Sequence, residues 1–218
     1  MKTLIATTLM VVTGSIALSL QTAVGQDLED SALLARLQSG GVVLLFRHGK
    51  TGPDSERSDA VSGRYALEGS TKERQVAYYD CDRQRNLSAE GRAELRQVAE
   101  AMREIGLVIG KVLSSPMCRT RETAWLLVGQ VTPADALIGP DNKERQRLVS
   151  TVPVDGSNRV LVSHGYVVSS IVPQSARPDE RGQLVRGHAH VLEPLGDGKF
   201  RILAELGPDD WTRLAARK

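Results

Sequence analysis

Two short apolar runs in this chain end in the same way. Residues 42–46, VVLLF, run straight into Arg47-His48-Gly49, and residues 159–163, RVLVS, run into His164-Gly165. A continuous apolar run between turn residues, with no polar alternation, is the pattern of a strand covered on both faces. A third run, KVLSS at residues 111–115, is ended by Pro116. Two further strands are expected at residues 190–193 and 200–206.

Helical patterns fall between these strands. Residues 30–37 read as a short helix stopped by Ser39-Gly40-Gly41. Ser88 is a good N-cap with Glu90 in the first turn, and Ala93, Leu95, Val98, Ala99, Met102 and Ile105 form an apolar stripe behind it. Further helices are expected at residues 118–128, 142–150, 166–172 and 209–217. Strands alternating with helices imply an α/β fold with a mostly parallel central sheet. The 218 residues suffice for one domain with a sizeable core. Residues 50–85 form a polar connection without clear periodicity, long enough to be functional or an insertion.

The N-terminus is set apart by its charge. Residues 1–26 hold one charge, Lys2, and residues 4–20 are apolar with a few Thr, Ser and Gly. Ala23 and Gly25 stand where a signal peptidase reads small residues, so residues 1–25 are expected to be a cleaved signal peptide and residues 26–218 the mature domain. An uncleaved anchor is the alternative, but the run is short and broken by Thr13, Gly14 and Ser15. Without Lys2 the remainder carries 27 basic and 26 acidic residues, a balance that does not suggest a nucleic-acid or membrane-surface protein. A periplasmic or secreted location is expected, with no stable membrane association after cleavage. In that compartment Cys81 and Cys118 would form a disulfide, with two buried thiols as the alternative.

In parallel sheets ligands bind off the carboxyl ends of the strands. If the three apolar strands are neighbours, Arg47, His48, Arg119 and His164 converge there. The chain has only four histidines, so two of them in this position are hard to dismiss as loop residues. Glycine after each one permits a tight turn and close approach of a ligand. The chemistry suits phosphate. Arginine matches phosphate oxygens two at a time, and a histidine among cations stays neutral and nucleophilic. Gly49-Lys50-Thr51 is not the end of a P-loop, because the first glycine of that motif would fall on Leu44.

These residues carry a resemblance. RHGKT (residues 47–51), SSPMCRTRETA (residues 114–124) and LVSHG (residues 161–165) resemble, in order and spacing, the three signatures of the histidine phosphatase superfamily. RQRNLSAEGR, residues 83–92, is similar to the start of the helix between the first two. The resemblance implies a three-layer, phosphoglycerate-mutase-like fold and a phosphatase that uses no cofactor and no metal. It implies that His48 becomes phosphorylated, that Arg47 and Arg119 hold the phosphoryl oxygens and that His164 assists from the other side. The substrate would be a small phosphorylated molecule.

Some positions depart from that pattern. Lys50 stands where many relatives are acidic, which would make the pocket rim more positive, with Thr51 beside it. Gly165 follows His164, so the acid of the acid-phosphatase branch is missing. Asp135, Asp141 and Glu144 are the remaining candidates for a proton donor, and Glu144 is chosen, against its reading as a solvated helix face. Arg83 and Arg85 line the pocket mouth or are surface charges; Arg85 is carried as a candidate substrate contact. Tyr78-Tyr79-Asp80 forms part of a lid or pins the long loop. His188-x-His190 has a spacing that can bind metal, with no acidic partner near it in sequence. Two rival functions stay open: a non-catalytic phosphate- or phosphoprotein-binding module, and a metal-dependent hydrolase built on His188 and His190. Substrate identity and oligomeric state are not legible.

Overall fold

The computed structural model describes residues 28–52 and 78–218. The expected leader and most of the polar connection, residues 53–77, lie outside the described residues. The elements run α1 (Asp30–Gln38), β1 (Val43–Arg47), α2 (Ala89–Ile105), β2 (Ile109–Ser114), α3 (Cys118–Val128), β3 (Thr132–Pro133), α4 (Asn142–Ser150), β4 (Asn158–Ser163), α5 (Gly165–Ile171), β5 (Ala189–Gly196), β6 (Lys199–Leu206) and α6 (Pro208–Ala215). Two single 3₁₀ turns, Cys81–Arg83 and Asp135–Leu137, sit in the connections. Among the described residues no helix is long and apolar enough to cross a membrane.

The strands form one six-stranded sheet in the order β3-β2-β4-β1-β5-β6. β3, β2, β4 and β1 are parallel, and β5 runs antiparallel to β1 and to β6. The three apolar strands are therefore neighbours, β2 beside β4 and β4 beside β1. β1 explains why its run is apolar throughout. Val42, Leu44 and Phe46 face a core filled by α1, α2, α3 and α6, whereas Val43 and Leu45 face a second core beneath α4 and α5. Both sides of the strand are dry, so no position tolerates a polar residue until Arg47 at the sheet edge. On the first face Phe46 stacks on the fully buried Trp211 of α6, with ring centroids 6.2 Å apart.

Local signals set the helix that feeds the site. Ser88 Oγ accepts the Gly91 N–H at 3.0 Å and so caps α2, and Gly106 ends it in the left-handed region at φ 83°. The sheet is longer than the sequence pattern suggests. β5 and β6 are eight-residue strands joined by a tight Asp197-Gly198 turn, because an edge hairpin can carry polar residues outward where a central strand cannot. The short β3, containing Pro133, was not expected; it is an edge strand, where a missing N–H costs nothing.

The segment before α2 is fastened to α3. Cys81 and Cys118 are joined by a disulfide. The buried Gln84 adds a second tie: its amide donates to Tyr78 O at 2.8 Å, and its oxygen accepts the Cys118 N–H at 2.9 Å. Tyr78 packs with Met117 and Ile138, which makes it an anchor for this segment rather than part of a lid. The cross-link spans a sequence separation of 37 residues, and closing a loop of that length is worth on the order of 4 kcal/mol in the chain-entropy account. Thermal unfolding of the oxidised protein beside a Cys81→Ser variant should show a clearly lower melting temperature for the variant. Equal melting would mean that the bridge does not restrain the unfolded chain.

Candidate active site

Register builds the site. In the parallel pairing of β1 with β4, Arg47 stands opposite Ser163, so the next residues, His48 and His164, leave the sheet side by side. The His48 N–H donates to Ser163 O at 2.9 Å, and the Ser115 N–H at the end of β2 donates to Val162 O at 3.0 Å. α3 starts two residues after Pro116, which places Arg119 in its first turn beside the same strand ends. Arg47, His48, Arg119 and His164 are each 5% exposed or less, an unusual degree of burial for four such side chains.

The imidazole of His48 has a defined tautomer. Its Nδ1 lies 2.8 Å from Gly49 O. A carbonyl can only accept, so Nδ1 carries the proton and Nε2 keeps its lone pair. Burial first, then Arg119, His164 and Arg47, hold its pKa well below the ordinary histidine value. His164 is neutral for the same reasons: burial leads, followed by Arg119, Arg47 and Arg85. Its Nε2 lies 2.8 Å from Ser115 Oγ, which also accepts the Met117 N–H. The two rings meet edge to face with centroids 5.5 Å apart.

Arg47 is clamped. Its Nη1 donates to Asp179 Oδ2 at 2.6 Å and to Leu184 O at 2.5 Å. The other Asp179 oxygen accepts the N–H groups of Arg181 and Gln183. Burial pushes the Asp179 carboxyl up, but the Arg47 hydrogen bond and the two amides outweigh it and bring it down to about 2. Asp179 is therefore a fixed counter-charge and not a proton donor. It was not expected from the sequence, since it lies 132 residues from Arg47 in an Arg-Pro-Asp-Glu stretch that reads as a turn. Ser115, Gln183 and Arg186 were missed likewise.

The glycines after the histidines serve packing rather than turning. A side chain at Gly49 would strike Leu95 at 2.7 Å, and one at Gly165 would strike the Gln183 amide at 2.0 Å and the Arg47 guanidinium carbon at 3.0 Å. Neither needs positive φ. Thr123 locks this arrangement, accepting the Gly49 N–H at 3.1 Å and donating to Arg119 O at 2.7 Å.

Other expectations need correction. Lys50 does not make the rim more positive: its ammonium donates to Glu90 and Glu94 of α2 at 2.7 and 2.6 Å. Thr51 forms an isolated bridge with Leu87. Glu144 forms a two-pronged bond with Arg147, both distances 2.7 Å, and that bond draws its pKa down. A carboxylate held ionised in this way is a poor proton donor. Asp141 is spent on capping α4 through the Glu144 N–H. Arg83 is exposed, whereas Arg85 is half-buried and its field reaches His164 and Arg186. His188 and His190 do have an acidic neighbour. β5–β6 pairing sets His190 opposite Glu205, and each His Nδ1 lies 3.9 Å from one Glu205 oxygen. Among the described residues no group of three or more His, Cys, Asp or Glu side chains is arranged to hold a metal ion.

A neutral imidazole with a fixed lone pair, ringed by guanidinium groups in a dry crevice, is equipped to attack a phosphoryl group. The comparisons agree with the geometry. The model of the histidine phosphatase superfamily (branch 1) matches residues 43–146. The match covers just under half of the chain, and it supports reading the chain as a phosphatase of that kind. The fold resembles the protein histidine phosphatase SixA complexed with tungstate, at 19% identity and a TM-score of 0.51, over 78% of this chain and 98% of that one. TTHB049 from Thermus thermophilus is 20% identical over 76% of this chain and 99% of its own, with a TM-score of 0.45. YhfR from Bacillus stearothermophilus is 15% identical over 74% and 94%, with a TM-score of 0.44. No curated protein matches the chain.

All four histidines are held below their ordinary pKa, burial leading in each case; His190 falls to about 4. The unfolded chain therefore binds protons below pH 6.5 that the folded one refuses, and stability present above that pH is lost as pH falls. Chemical denaturation between pH 7 and 5 should show a decline approaching about 1 kcal/mol per histidine per pH unit. Constant stability over that range would mean that these rings protonate freely in the folded protein.

Proposed function

We propose that the protein is an exported phosphomonoester hydrolase acting through a phosphohistidine on His48. The observation that carries this reading is the His48 ring itself, neutral, with Nδ1–H fixed on Gly49 O and Nε2 left as nucleophile between arginines. Nε2 attacks phosphorus, the P–N bond forms and the ester P–O bond breaks. The leaving alkoxide takes its proton from solvent, since Glu144 and Asp141 are bound elsewhere and Asp135 is exposed at the start of a 3₁₀ turn. Water then attacks phosphorus, the P–N bond breaks, and phosphate leaves with the imidazole restored. Arg47 and Arg119 hold the equatorial oxygens and offset their growing charge. His164, steadied by Ser115, contributes from the opposite edge.

Export is supported by the apolar leader with its small-residue cleavage pattern and by the Cys81–Cys118 bridge, which suits an oxidising compartment. A periplasmic or secreted enzyme of this kind would meet small phosphorylated molecules and would use no cofactor.

The purified protein should hydrolyse p-nitrophenyl phosphate in the presence of EDTA, and His48→Ala should abolish that activity, by about 10³-fold or more. Loss of activity to EDTA in the wild type would point instead to a metal enzyme. Phosphate binding without turnover would point to a binding module. Asp179→Asn keeps the shape of the clamp but removes its charge. It should raise KM about ten-fold with a smaller change in kcat, because Arg47 loses a charge-assisted bond and its fixed direction. An unchanged KM would show that Leu184 O alone positions the guanidinium.

A further inference from the structure

α5 begins where β4 ends. His164 is its N-cap, and its first turn carries Gly165 and Tyr166. Val167, Val168 and Ile171 turn into the second core, which leaves Tyr166 on the outer side of the helix. The Tyr166 ring lies beside the His164 ring, with centroids 5.7 Å apart and planes 7° off parallel. His164 in turn meets His48 edge to face. The three rings form a row that leads from the buried nucleophile to the surface.

Tyr166 is exposed in an unusual sense. A surface tyrosine ordinarily buries its ring and leaves its hydroxyl in water. Here the hydroxyl is turned inward and donates to Ile138 O at 3.1 Å, while the residue as a whole is 55% exposed. Burial, then Tyr78, raise the hydroxyl's pKa against the opposing fields of Arg119 and Arg145. What faces water is therefore ring carbon, and the hydroxyl bond and the His164 contact fix the plane of that ring. Single exposed apolar side chains are ordinary. This one touches a histidine of the phosphoryl pocket and lies within the field of Arg119. A flat apolar surface held at the mouth of such a pocket is suited to a flat partner.

We propose that Tyr166 is a stacking platform beside the phosphoryl pocket, so that the preferred substrates are phosphomonoesters whose leaving group carries an aromatic or heteroaromatic ring next to the ester. This rests on the reading of the His48 pocket as the phosphoryl site. The phosphoryl group to be cleaved lies on His48, Arg47 and Arg119, and the ring of the leaving group lies against Tyr166. The contact is made by ring carbon and offers no donor or acceptor, so it selects a flat ring and not one pattern of ring substituents.

Competitive inhibition of p-nitrophenyl phosphate hydrolysis tests this with three non-hydrolysable probes, methylphosphonate, cyclohexylphosphonate and phenylphosphonate, at a pH where all are dianions. The two rings are similar in size, and only phenyl has a π face. Wild type should bind phenylphosphonate about five-fold more tightly than cyclohexylphosphonate, the scale of one aromatic pair. Tyr166→Leu should bring the two to within about two-fold of each other, and Tyr166→Phe, which gives up the Ile138 bond but keeps the ring, should retain most of the preference. Methylphosphonate reports the phosphoryl pocket alone. A loss in Tyr166→Leu shared equally by all three probes would mean that the tyrosine only steadies His164, and it overturns the proposal. A phenyl-to-cyclohexyl ratio near one in the wild type, or one unchanged in Tyr166→Leu, overturns it too. If p-nitrophenyl phosphate is not hydrolysed, the phosphatase reading of His48 fails; the same ratios, taken by calorimetry, still decide the platform.

Discussion

The parallel pairing of β1 with β4 is the constraint on which the rest depends. It sets Arg47 opposite Ser163 and so releases His48 and His164 from the sheet at the same level. A shift of one residue would turn every side chain of β1 to the other core and draw Arg47 into an apolar layer, which burial forbids. The catalytic spacing is therefore enforced by hydrophobic burial: Val43 and Leu45 must face α4 and α5, and Leu44 and Phe46 must face α2 and α6.

Electrostatics at those ends follow from the same burial. Arg47, Arg85, Arg119 and Arg186 act on a small volume in which both histidines are kept neutral. Such a cluster is costly in the empty protein, and one counter-charge, Asp179, moderates it by binding the arginine nearest the nucleophile. The design holds Arg47 in place before a ligand arrives, so a phosphoryl group meets a fixed guanidinium rather than a mobile one. The same loop that brings Asp179 also brings Leu184, Arg186 and Gly187, so residues 179–187 act as the second wall of the site.

Much of this was legible in the residues. The apolar runs located β1 and β4, Ser88 located the start of α2, and the ends of three strands named Arg47, His48, Arg119 and His164. Those signals are local or repeat within one element, which is why they survive in a linear reading. Lys50 and Glu144 misled for a single reason. Their charges were read as directed at the pocket, but both are neutralised by partners on helices, Glu90 and Glu94 in one case and Arg147 in the other. His188 and His190 gain their acidic neighbour, Glu205, only through strand pairing, which the linear order does not show.

The sequence by itself determined the layered α/β class, the order of its strands and helices and the residue types at the strand ends, because burial periodicity and capping are encoded within a few neighbouring residues. Only the tertiary structure decided which strands are neighbours, that Asp179 holds Arg47 across 132 positions and that Arg186 lies against the nucleophile's strand. Contacts of that separation leave no periodic trace. They exist because the sheet, once closed by its two cores, brings distant loops to the same edge.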